Sequence, residues 1–279
     1  MQHESIDGVV VRVRDYGDHD RYLSVLTAQK GRITLLAKGS RSLKGAQTAV
    51  SQLYTYANFE YYRRGDFNVL KGGSVIHPFY GLSLDIDRLD LAAYLCELTC
   101  EVSDEGEEAS ELLRLLLNSL FALSHDLYPQ ETVKGAFELR TAALAGYSPD
   151  LGACAHCGRE RAEHFYLHVM NGALLCPECL KAFGNAQKRI SPNAYDDVRE
   201  AETLCMLPEA VLCAWRYCMS GPLERLFSFE LKGEGDLALF SKSAETYLLS
   251  HLGRGFDSLQ FYHTMREHPR DAAKKETKP

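Results

Sequence analysis

Over the first 80 residues, apolar and polar positions alternate in short runs, which is the pattern of β-strands. The runs are rich in β-branched and aromatic residues and are separated by turn residues, among them Gly17-Asp18, Lys30-Gly31 and Arg63-Arg64-Gly65-Asp66. The predicted strands are Ile6–Arg14, Arg21–Thr27, Arg32–Ala37, Gln52–Tyr62 and Phe67–Ile76. Five short strands with few helical residues between them predict a small closed barrel, of either the OB-fold or the SH3-like kind.

Strand periodicity also assigns side chains to the two faces of these strands. The first strand is expected to divide into Val9, Val11 and Val13 on one face and Val10, Arg12 and Arg14 on the other. The fourth is expected to divide into Tyr54, Tyr56 and Tyr62 on one face and Phe59 and Tyr61 on the other, and Phe67 begins the fifth. One aromatic set fills the barrel and the other is a candidate for stacking on bases, although most aromatics in a small barrel belong to its core.

Beyond His77-Pro78 the apolar residues recur with the period of an α-helix. The first predicted helices have an apolar face from Leu89 toward Val102, a second face over Leu112–Leu123, and a third span at Thr132–Ala145 that Gly146 ends. Further helices are predicted at Ser191–Leu204, Pro208–Met219 and Gly235–Leu252. The charged stretch Glu267–Pro279 has no apolar periodicity and is expected to be frayed.

Gly152–Phe183 lacks helical periodicity and carries the strongest chemical signal in the chain. Cys154-Ala-His-Cys157 is followed, after eighteen residues, by Cys176-Pro-Glu-Cys179. Two CxxC pairs at this spacing are typical of a four-thiolate zinc site, because two tight turns can supply a tetrahedron of sulfurs. A redox dithiol and an iron–sulfur cluster fit the pattern less well. Four protein ligands leave no position for water, so the single Zn²⁺ is expected to be structural.

The other histidines and cysteines are expected to take no part in this site. Three histidines near the pairs are interpreted as ordinary polar residues, namely His156, His164 and His168. Five cysteines on predicted helices are interpreted as small buried apolar residues, namely Cys96, Cys100, Cys205, Cys213 and Cys218.

Charge is unevenly distributed along the chain. The formal net charge is −7, which by itself argues against a nucleic-acid partner. Residues 1–80, however, hold 11 Lys/Arg and 7 Asp/Glu, a balance of +4, and the rest of the chain holds 20 and 31, a balance of −11. A polyanion responds to the local field, since charges are screened beyond about 8 Å at physiological salt. The N-terminal part can therefore bind phosphates, although an uneven split can also arise by chance.

Eight cations of the N-terminal part are candidates to contact DNA phosphates. Three of them come from the loop Lys38–Gly45, which contains two glycines, two serines and no acid. Such a loop can bring backbone N–H groups and hydroxyls to a phosphate, and the alternative interpretation is a solvated turn. The candidates are Arg12, Arg14, Arg32, Lys38, Arg41, Lys44, Arg63 and Arg64, with Lys71 as a further cation.

No nucleotide-binding, hydrolase or kinase motif occurs in the sequence, and no catalytic activity is expected. Asp15, Asp18 and Asp20 lie near His19 and suggest a metal-dependent nuclease as an alternative. A strand-to-strand turn rich in Asp is the simpler interpretation. The start of the sequence has no apolar signal-peptide region, and no apolar run reaches the length of a membrane span, so a cytoplasmic location is expected.

Taken in order, these features resemble the RecO family of bacterial recombination mediators. The resemblance rests on stretches that span most of the chain, namely Gly17–Thr27, Gly31-Arg32, Ala37–Arg41, Gly146–Pro149, Gly172–Cys176, Tyr247–Gly253 and Ser258-Leu259, together with the two cysteine pairs. It implies an N-terminal OB-fold, a helical C-terminal domain and an embedded zinc finger. Some members of the family lack the cysteines, so the resemblance assigns zinc a supporting role.

The resemblance also implies a function. It implies a nucleoid-associated protein that binds single- and double-stranded DNA, anneals complementary strands and, with RecR, loads RecA onto DNA coated by single-stranded DNA-binding protein. The acidic C-terminal tail of that protein is expected to dock on the helical domain. Candidate cations for it are Arg216, Arg225, Lys232 and Lys242, each of which is also explained as an ordinary surface residue. A zinc-ribbon protein-interaction module is the alternative function.

The sequence therefore predicts an α+β protein with several domains. An OB-fold β-barrel is expected over residues 1–80 and an all-helical domain over 81–265. A four-cysteine zinc finger is expected inside that domain at 150–184, and a flexible tail at 266–279.

Overall fold

The computed structural model describes residues 3–42, 47–187 and 203–267. The chain divides into two compact units, one made of residues up to 130 together with those from 255 onward, and the other of residues 131–254. The domain limits expected at residues 80 and 265 stay predictions. Among the described residues, no helix combines the length and the apolar composition that crossing a bilayer requires.

The first unit contains a closed five-stranded barrel, as the alternating pattern predicts. Its strands are β1 (His3–Tyr16), β2 (Asp20–Thr27), β3 (Gly31–Ala37), β4 (Tyr56–Arg64) and β5 (Phe67–His77). They follow the order β1-β2-β3-β5-β4, with β4 pairing back onto β1 and with β3 and β5 running parallel. A five-stranded closed barrel of this kind is OB-like.

A bulge in β1 corrects the expected assignment of its faces. The pairing of β1 with β2 shifts between Val10 and Arg12. Before the bulge, Ile6 and Val10 point into the barrel core, and after it Val13 packs against the same core. The expectation that Val10 shares the face of Arg12 and Arg14 is therefore wrong, because one extra residue reverses the alternation.

β4 begins four residues later than predicted, because the preceding segment folds back onto the β1 bulge. Residues 47–54 form turns, and Tyr54 is buried with a φ of 63°. The N–H of Val10 donates to the carbonyl of Thr55 (3.0 Å), and the N–H of Tyr54 donates to the carbonyl of Val10 (2.9 Å). Tyr54 consequently does not belong to the outward face of β4.

Five of the seven helices in the described residues match predicted ones, whereas the helix at Pro177–Gln187, which begins inside the stretch expected to lack helical periodicity, and the one at Asp257–Glu267 were not predicted. They are α1 (Ile86–Glu101), α2 (Ser110–Ser124), α3 (Gln130–Leu144), α4 (Pro177–Gln187), α5 (Glu209–Ser220), α6 (Asp236–Leu252) and α7 (Asp257–Glu267), with 3₁₀ turns at Tyr80–Leu84 and Leu223–Arg225.

α7 belongs to the first unit and was not predicted. The N–H of Ser258, in its first turn, donates to the carboxylate of Glu97 on α1 (3.3 Å). Phe256 meets Tyr94 of α1 edge to face, with ring centroids 5.7 Å apart. The helix is short and mostly polar, so its periodicity is weak, and its contacts with α1 decide its conformation.

α3, α5 and α6 pack together in the second unit. Trp215 of α5 is fully buried, and its indole N–H donates to Ser243 Oγ of α6 (3.1 Å). A Cβ on Gly135 of α3 would lie 2.5 Å from the ring of Phe240 on α6. The absence of a side chain at that position therefore allows the two helices to approach closely.

A four-stranded sheet carries the predicted insertion and extends beyond it. Its strands are β6 (Asp150–Cys154), β7 (His164–His168), β8 (Ala173–Leu175) and β9 (Leu204–Pro208), in the order β6-β8-β7-β9. β9 lies outside the expected 150–184 segment, so the C-terminal part is not all-helical around the insertion. The helix predicted at Ser191–Leu204 is wrong at its last two residues, since residue 203 is not helical and β9 begins at residue 204, and residues 191–202 lie outside the described part of the chain.

Two of the five non-ligand cysteines differ from their interpretation. Cys205 lies in β9 and not in a helix, and Cys213 of α5 is exposed. The other three lie in helices and are buried, as predicted. In the stretch expected to be frayed, Glu267 is the last residue of α7, and residues 268–279 lie outside the described ones.

Candidate functional site

The four predicted cysteine ligands come together in the second unit. The ligand atoms of Cys154, Cys157, Cys176 and Cys179 all lie within 4.8 Å of one another, and the Sγ atoms of Cys157 and Cys176 are 3.8 Å apart. A tetrahedron with Zn–S bonds near 2.3 Å has sulfur–sulfur separations of about 3.8 Å. The set therefore has the composition and the spacing to hold one four-coordinate metal ion.

Local backbone geometry explains how each pair presents its sulfurs. Cys154 ends β6, and the N–H of Gly158 donates to its carbonyl (2.9 Å), closing a tight turn in which Gly158 has a φ of 71°. Cys176 directly precedes α4, and Cys179 lies in the first turn of that helix. The N–H of Cys176 donates to Cys154 Sγ (3.3 Å), so a backbone donor of one pair is already directed at a sulfur of the other.

The crowded thiols influence one another's ionisation. Burial raises the pKa of Cys154, but backbone N–H groups of Cys176, Cys157 and His156 outweigh it and lower that pKa to about 6. The pKa values of Cys176 and Cys179 are raised, first by burial. Cys154 thus ionises readily while Cys176 and Cys179 resist ionisation, and a bound divalent cation reverses that resistance by favouring thiolates.

Groups around the cysteines support the site without belonging to it. Arg159 and Glu178 form an ion pair (2.8 Å) between the two cysteine-bearing turns, and Arg159 lowers the pKa of Glu178 to about 2. Within the described residues, the cluster of ligand atoms contains the four cysteines, and His156, His164 and His168 stand outside it.

The second candidate site is one end of the barrel, where backbone pairing aligns residues of all five strands, of which Leu36 and Val69 are buried and the others at least partly exposed. Arg14 pairs with Tyr22, and Tyr22 pairs with Leu36. Leu36 in turn pairs with Val69, and Val69 pairs with Tyr62. One row of positions therefore crosses all five strands, and we call these five residues the rim row.

Arg12 and Arg64 lie two residues from the rim row on their own strands. Arg12 pairs with Ser24 of β2, and Arg64 pairs with Phe67 of β5. Among the residues described, none of Arg12, Arg14 and Arg64 forms an ion pair with a carboxylate. Their guanidinium groups are therefore available to an external anion.

Arg32, in contrast, is anchored to the protein's own backbone. Its Nε donates to the carbonyl of Ser103, just beyond the end of α1 (3.2 Å). Burial raises the pKa of Cys100, in the last turn of α1, and Arg12, Arg32 and Arg14 oppose that rise. The three arginines thus gather near the C-terminal end of α1, where the helix dipole favours cations.

The remaining predicted cations differ in their surroundings. Lys38 and Lys71 are exposed, and the Nε of Arg63 donates to the carbonyl of Gly65 within its own hairpin (3.2 Å). Lys44 lies outside the described residues.

Arg41 fastens the cationic loop to the β1–β2 turn. Its Nη1 donates to the carbonyl of Gly17 (2.8 Å), and its Nη2 lies 3.6 Å from Asp15 Oδ2. Part of the positive charge of this loop is therefore already paired with groups of the protein itself at the surface.

The Asp-rich turn has a structural explanation that does not involve metal. Asp15 Oδ1 lies 3.2 Å from Arg21 Nε, and Asp20 Oδ1 accepts the N–H of Gly39 (2.8 Å). In the described part of the chain, Asp15, Asp18 and Asp20 do not form a cluster that could hold a metal ion. This arrangement supports the turn interpretation over the nuclease.

An acidic loop lies beside Arg32. Four of the five residues 104–108 are acids, and all four are exposed. The N–H of Gly106 donates to the carbonyl of Lys30 (2.9 Å), and the N–H of Ala109 donates to the carbonyl of Ala28 (2.8 Å). Backbone hydrogen bonds therefore hold the loop against the β2–β3 turn, on the side where Arg32 lies.

Comparison with known proteins places the chain in a family. A family model described as Recombination protein O N terminal matches residues 1–79, and one described as Recombination protein O C terminal matches residues 83–196. A DNA repair protein RecO of Alkaliphilus metalliredigens is 32% identical over 173 residues, which make up 62% of this chain and 70% of that protein. The chain belongs to the RecO family.

Other RecO proteins match over nearly the whole chain. The DNA repair protein RecO of Acetivibrio thermocellus is 29% identical over 266 residues, 95% of this chain and 98% of that protein. The one of Symbiobacterium thermophilum is 26% identical over 265 residues, 94% and 97% of the two chains. The rim row lies within the N-terminal RecO match and the four cysteines within the C-terminal one, which confirms the resemblance found in the sequence.

Two tyrosines on the outer face of this RecO-family barrel were not identified from the sequence as candidate binding residues. Tyr16, the last residue of β1, is 52% exposed, and its ring centroid lies 4.8 Å from that of Tyr22. The missed signal is the continued alternation of Arg12, Arg14 and Tyr16, two residues past the predicted end of the strand. Among the predicted aromatics, Phe59 and Tyr61 fill the core, and Tyr56 and Tyr62 occupy the alternate, less buried positions of β4.

Proposed function

We propose that this protein acts in DNA repair by binding single- and double-stranded DNA at the rim of its barrel, without a covalent step. The observation that carries the proposal is that Arg12, Arg14 and Arg64 lie on or beside the rim row and have no internal carboxylate partner in the described residues. Arginines of this kind bind phosphate oxygens bidentately and with little regard to base sequence.

The mechanism that follows is electrostatic. Cations at the rim neutralise phosphates and release the counterions that surround them, which is the main favourable term in sequence-independent binding. Two strands that are both partly neutralised repel each other less, so complementary bases can pair. Annealing by this route needs neither nucleotide hydrolysis nor a nucleophile.

The proposed metal is a single Zn²⁺ held by Cys154, Cys157, Cys176 and Cys179. Four thiolates occupy all its positions, so the ion stabilises the sheet and contributes no reaction chemistry. In this proposal, DNA binding belongs to the barrel and metal binding to the second unit.

The proposed partners are RecR, RecA and the acidic C-terminal tail of single-stranded DNA-binding protein, and family membership supports all three. Of the cations suggested for the tail, Arg216 donates to a backbone carbonyl of β6 (2.8 Å) and Lys232 lies 3.6 Å from Glu230. Arg225 and Lys242 are exposed and form no ion pair among the described residues. These two are therefore the better candidates to meet an acidic peptide.

The salt dependence of DNA binding tests the proposed interface. The triple variant Arg12→Ala/Arg14→Ala/Arg64→Ala is expected to bind a single-stranded oligonucleotide more weakly and with a shallower slope of log K against log[salt]. The slope is expected to change by about 0.7 for each phosphate that the variant no longer neutralises. Arg225→Ala/Lys232→Ala/Lys242→Ala removes three exposed cations of the second unit; it is the matched control and is expected to leave the slope unchanged.

Two results would remove the rim from the proposed function. One is a wild-type slope of log K against log[salt] near zero, which excludes phosphate contacts as the main contribution to the binding free energy. The other is an unchanged slope in the triple variant, which places the phosphate contacts elsewhere on the chain.

A further inference from the structure

Tyr16 and Tyr22 form an aromatic pair beside Arg14. The electrostatic mechanism does not use this pair. Tyr22 pairs across the strands with Arg14, and its ring supports that of Tyr16 at an interplanar angle of 56°. The pKa of Tyr22 is raised, first by lost hydration and then by Tyr16, so this phenol stays uncharged beside a polyanion. More than half of Tyr16 remains open to solvent (52%).

The spacing along β1 connects this pair to the phosphate contacts. Beyond the bulge, Arg12, Arg14 and Tyr16 occupy successive outward positions, about 6.8 Å apart along the strand. A nucleic-acid backbone held by the two arginines therefore carries its next base toward an exposed ring.

We propose that Tyr16, braced by Tyr22, stacks on an unpaired base and makes this end of the barrel prefer single-stranded DNA over duplex. The inference rests on the proposed DNA binding at the rim and adds to it a determinant of strand preference. Arginines cannot supply that preference, because both kinds of DNA present phosphates to them.

Duplex DNA cannot use the tyrosine in the same way. In a duplex each base face is covered by the neighbouring base pair, whereas a single strand can turn a base outward onto an aromatic ring. Stacking of this kind tolerates any sequence, because every base has a π face. The binding free energy therefore has two contributions. An electrostatic contribution is common to all polynucleotides, and a stacking contribution is made only by unpaired bases.

Three ligands of equal length separate these contributions: a mixed-sequence single strand, its duplex and an abasic single strand that keeps the phosphates. Binding of each to the full chain is measured by fluorescence anisotropy. Tyr16→Leu is expected to raise the Kd for the single strand by about 5- to 140-fold. The Kd values for duplex and abasic strand, and the slope against salt, are expected to stay at wild-type values.

Two further variants complete the design. Tyr16→Phe keeps the ring and is expected to restore single-strand binding. Tyr80→Leu removes another exposed aromatic, 79% exposed in the 3₁₀ turn after the barrel, and is expected to change nothing. Thermal unfolding of each variant checks that the fold is retained.

Wild-type affinity of Tyr16→Leu for the single strand would overturn the inference. Equal losses on all three ligands would also overturn it, because they would assign Tyr16 a structural role. Either result, combined with a reduced salt slope in the triple arginine variant, leaves the proposed DNA binding standing. An unchanged slope in that triple variant removes the proposed function itself.

Discussion

The backbone carbonyl of Asp104 lies 1.9 Å from the position that a Cβ on Gly31 would occupy. Gly31 has a φ of 59°, and the N–H of the next residue, Arg32, donates to that same carbonyl (3.2 Å). The loop between α1 and α2 thus docks on the β2–β3 turn at a position that tolerates no side chain. Gly31 therefore contributes both a left-handed turn and a close contact.

Gly31→Ala is expected to destabilise the protein by about 2–4 kcal/mol. The left-handed conformation alone costs a residue with a Cβ about 1–2 kcal/mol, and displacement of the acidic loop adds to this. Urea unfolding measures the loss. Gly65→Ala is the control. Gly65 also has a left-handed φ of 61°, but no neighbouring atom lies within 4 Å of the position of its added Cβ. Equal losses of stability in the two variants would show that the contact with Asp104 contributes nothing.

The acidic loop that this contact positions is expected to weaken DNA binding. Replacing Glu105, Glu107 and Glu108 by Gln removes three exposed negative charges beside the β2–β3 turn and Arg32, so affinity for single-stranded DNA is expected to rise at low salt. The gain is expected to vanish at high salt, because the Debye length falls from about 10 Å at 0.1 M to about 3 Å at 1 M. Glu230→Gln/Glu234→Gln in the second unit is the control, and a gain that persists at high salt would point to a conformational cause.

The sequence predicted those parts of the fold that a pattern within one short segment specifies. Alternation located the barrel strands, and the two CxxC pairs located the metal ligands, because both signals are contained within short segments. The β1 bulge at Val10 could not be predicted, since one inserted residue leaves no mark on composition. β9 and α7 depend on long-range pairing with β7 and α1, so their own sequences gave too little signal.

The candidate DNA surface was predicted in composition but not in arrangement. The sequence pointed to eight cations, and only tertiary contacts show which of them are available to DNA. Arg12 and Arg14 have no carboxylate partner among the described residues. Arg32 and Arg41, in contrast, donate to backbone carbonyls. Charge counts cannot detect such internal partners. Tyr16 was missed for a related reason, because its role depends on the cross-strand position of Tyr22.

A salt bridge between β1 and the β2–β3 turn is expected to give the barrel a pH-dependent contribution to stability. Glu4 accepts from Lys30 and from the hydroxyl of Tyr61, and these donors hold the pKa of Glu4 below its ordinary value of 4.5. A lowered pKa in the folded state stabilises it above the ordinary pKa, and this contribution is lost as the pH falls through the folded-state value.

Glu4→Gln is therefore expected to cost less than about 1 kcal/mol at pH 7, a small value because Glu4 and Lys30 are 38% and 44% exposed. The difference from wild type is expected to shrink as the pH falls below 4.5. Urea unfolding at several pH values measures it. A difference that stays constant down to the acid limit would contradict an ionic contribution.

The metal site is expected to stabilise the second unit through a chain of contacts that ends at its single tryptophan. The carbonyl of Val169, between β7 and β8, accepts a hydrogen bond from the ring Nε2 of His251 on α6 (3.0 Å). His251 meets Tyr247, and Tyr247 meets Trp215, with ring centroids 4.4 Å and 5.4 Å apart. Loosening the sheet should therefore change the surroundings of Trp215.

Cys157→Ser tests this coupling, because it removes one ligand at an exposed position. Purified wild-type protein is expected to contain about one zinc per chain and the variant much less. The variant is expected to unfold about 5–15 °C lower, as loss of several kcal/mol implies, and its tryptophan emission is expected to shift to the red. Cys213→Ser, also exposed but outside the cluster, is expected to keep zinc, unfolding temperature and emission.

DNA binding then distinguishes a structural metal from a functional one. All rim residues lie in the first unit, so Cys157→Ser is expected to bind single-stranded DNA with a Kd close to that of wild type at a temperature where both are folded. A selective loss of DNA affinity, with an unchanged unfolding temperature, would show that the metal-bearing turns contact DNA directly. Loss of both would instead mean that the barrel depends on the second unit for its own stability.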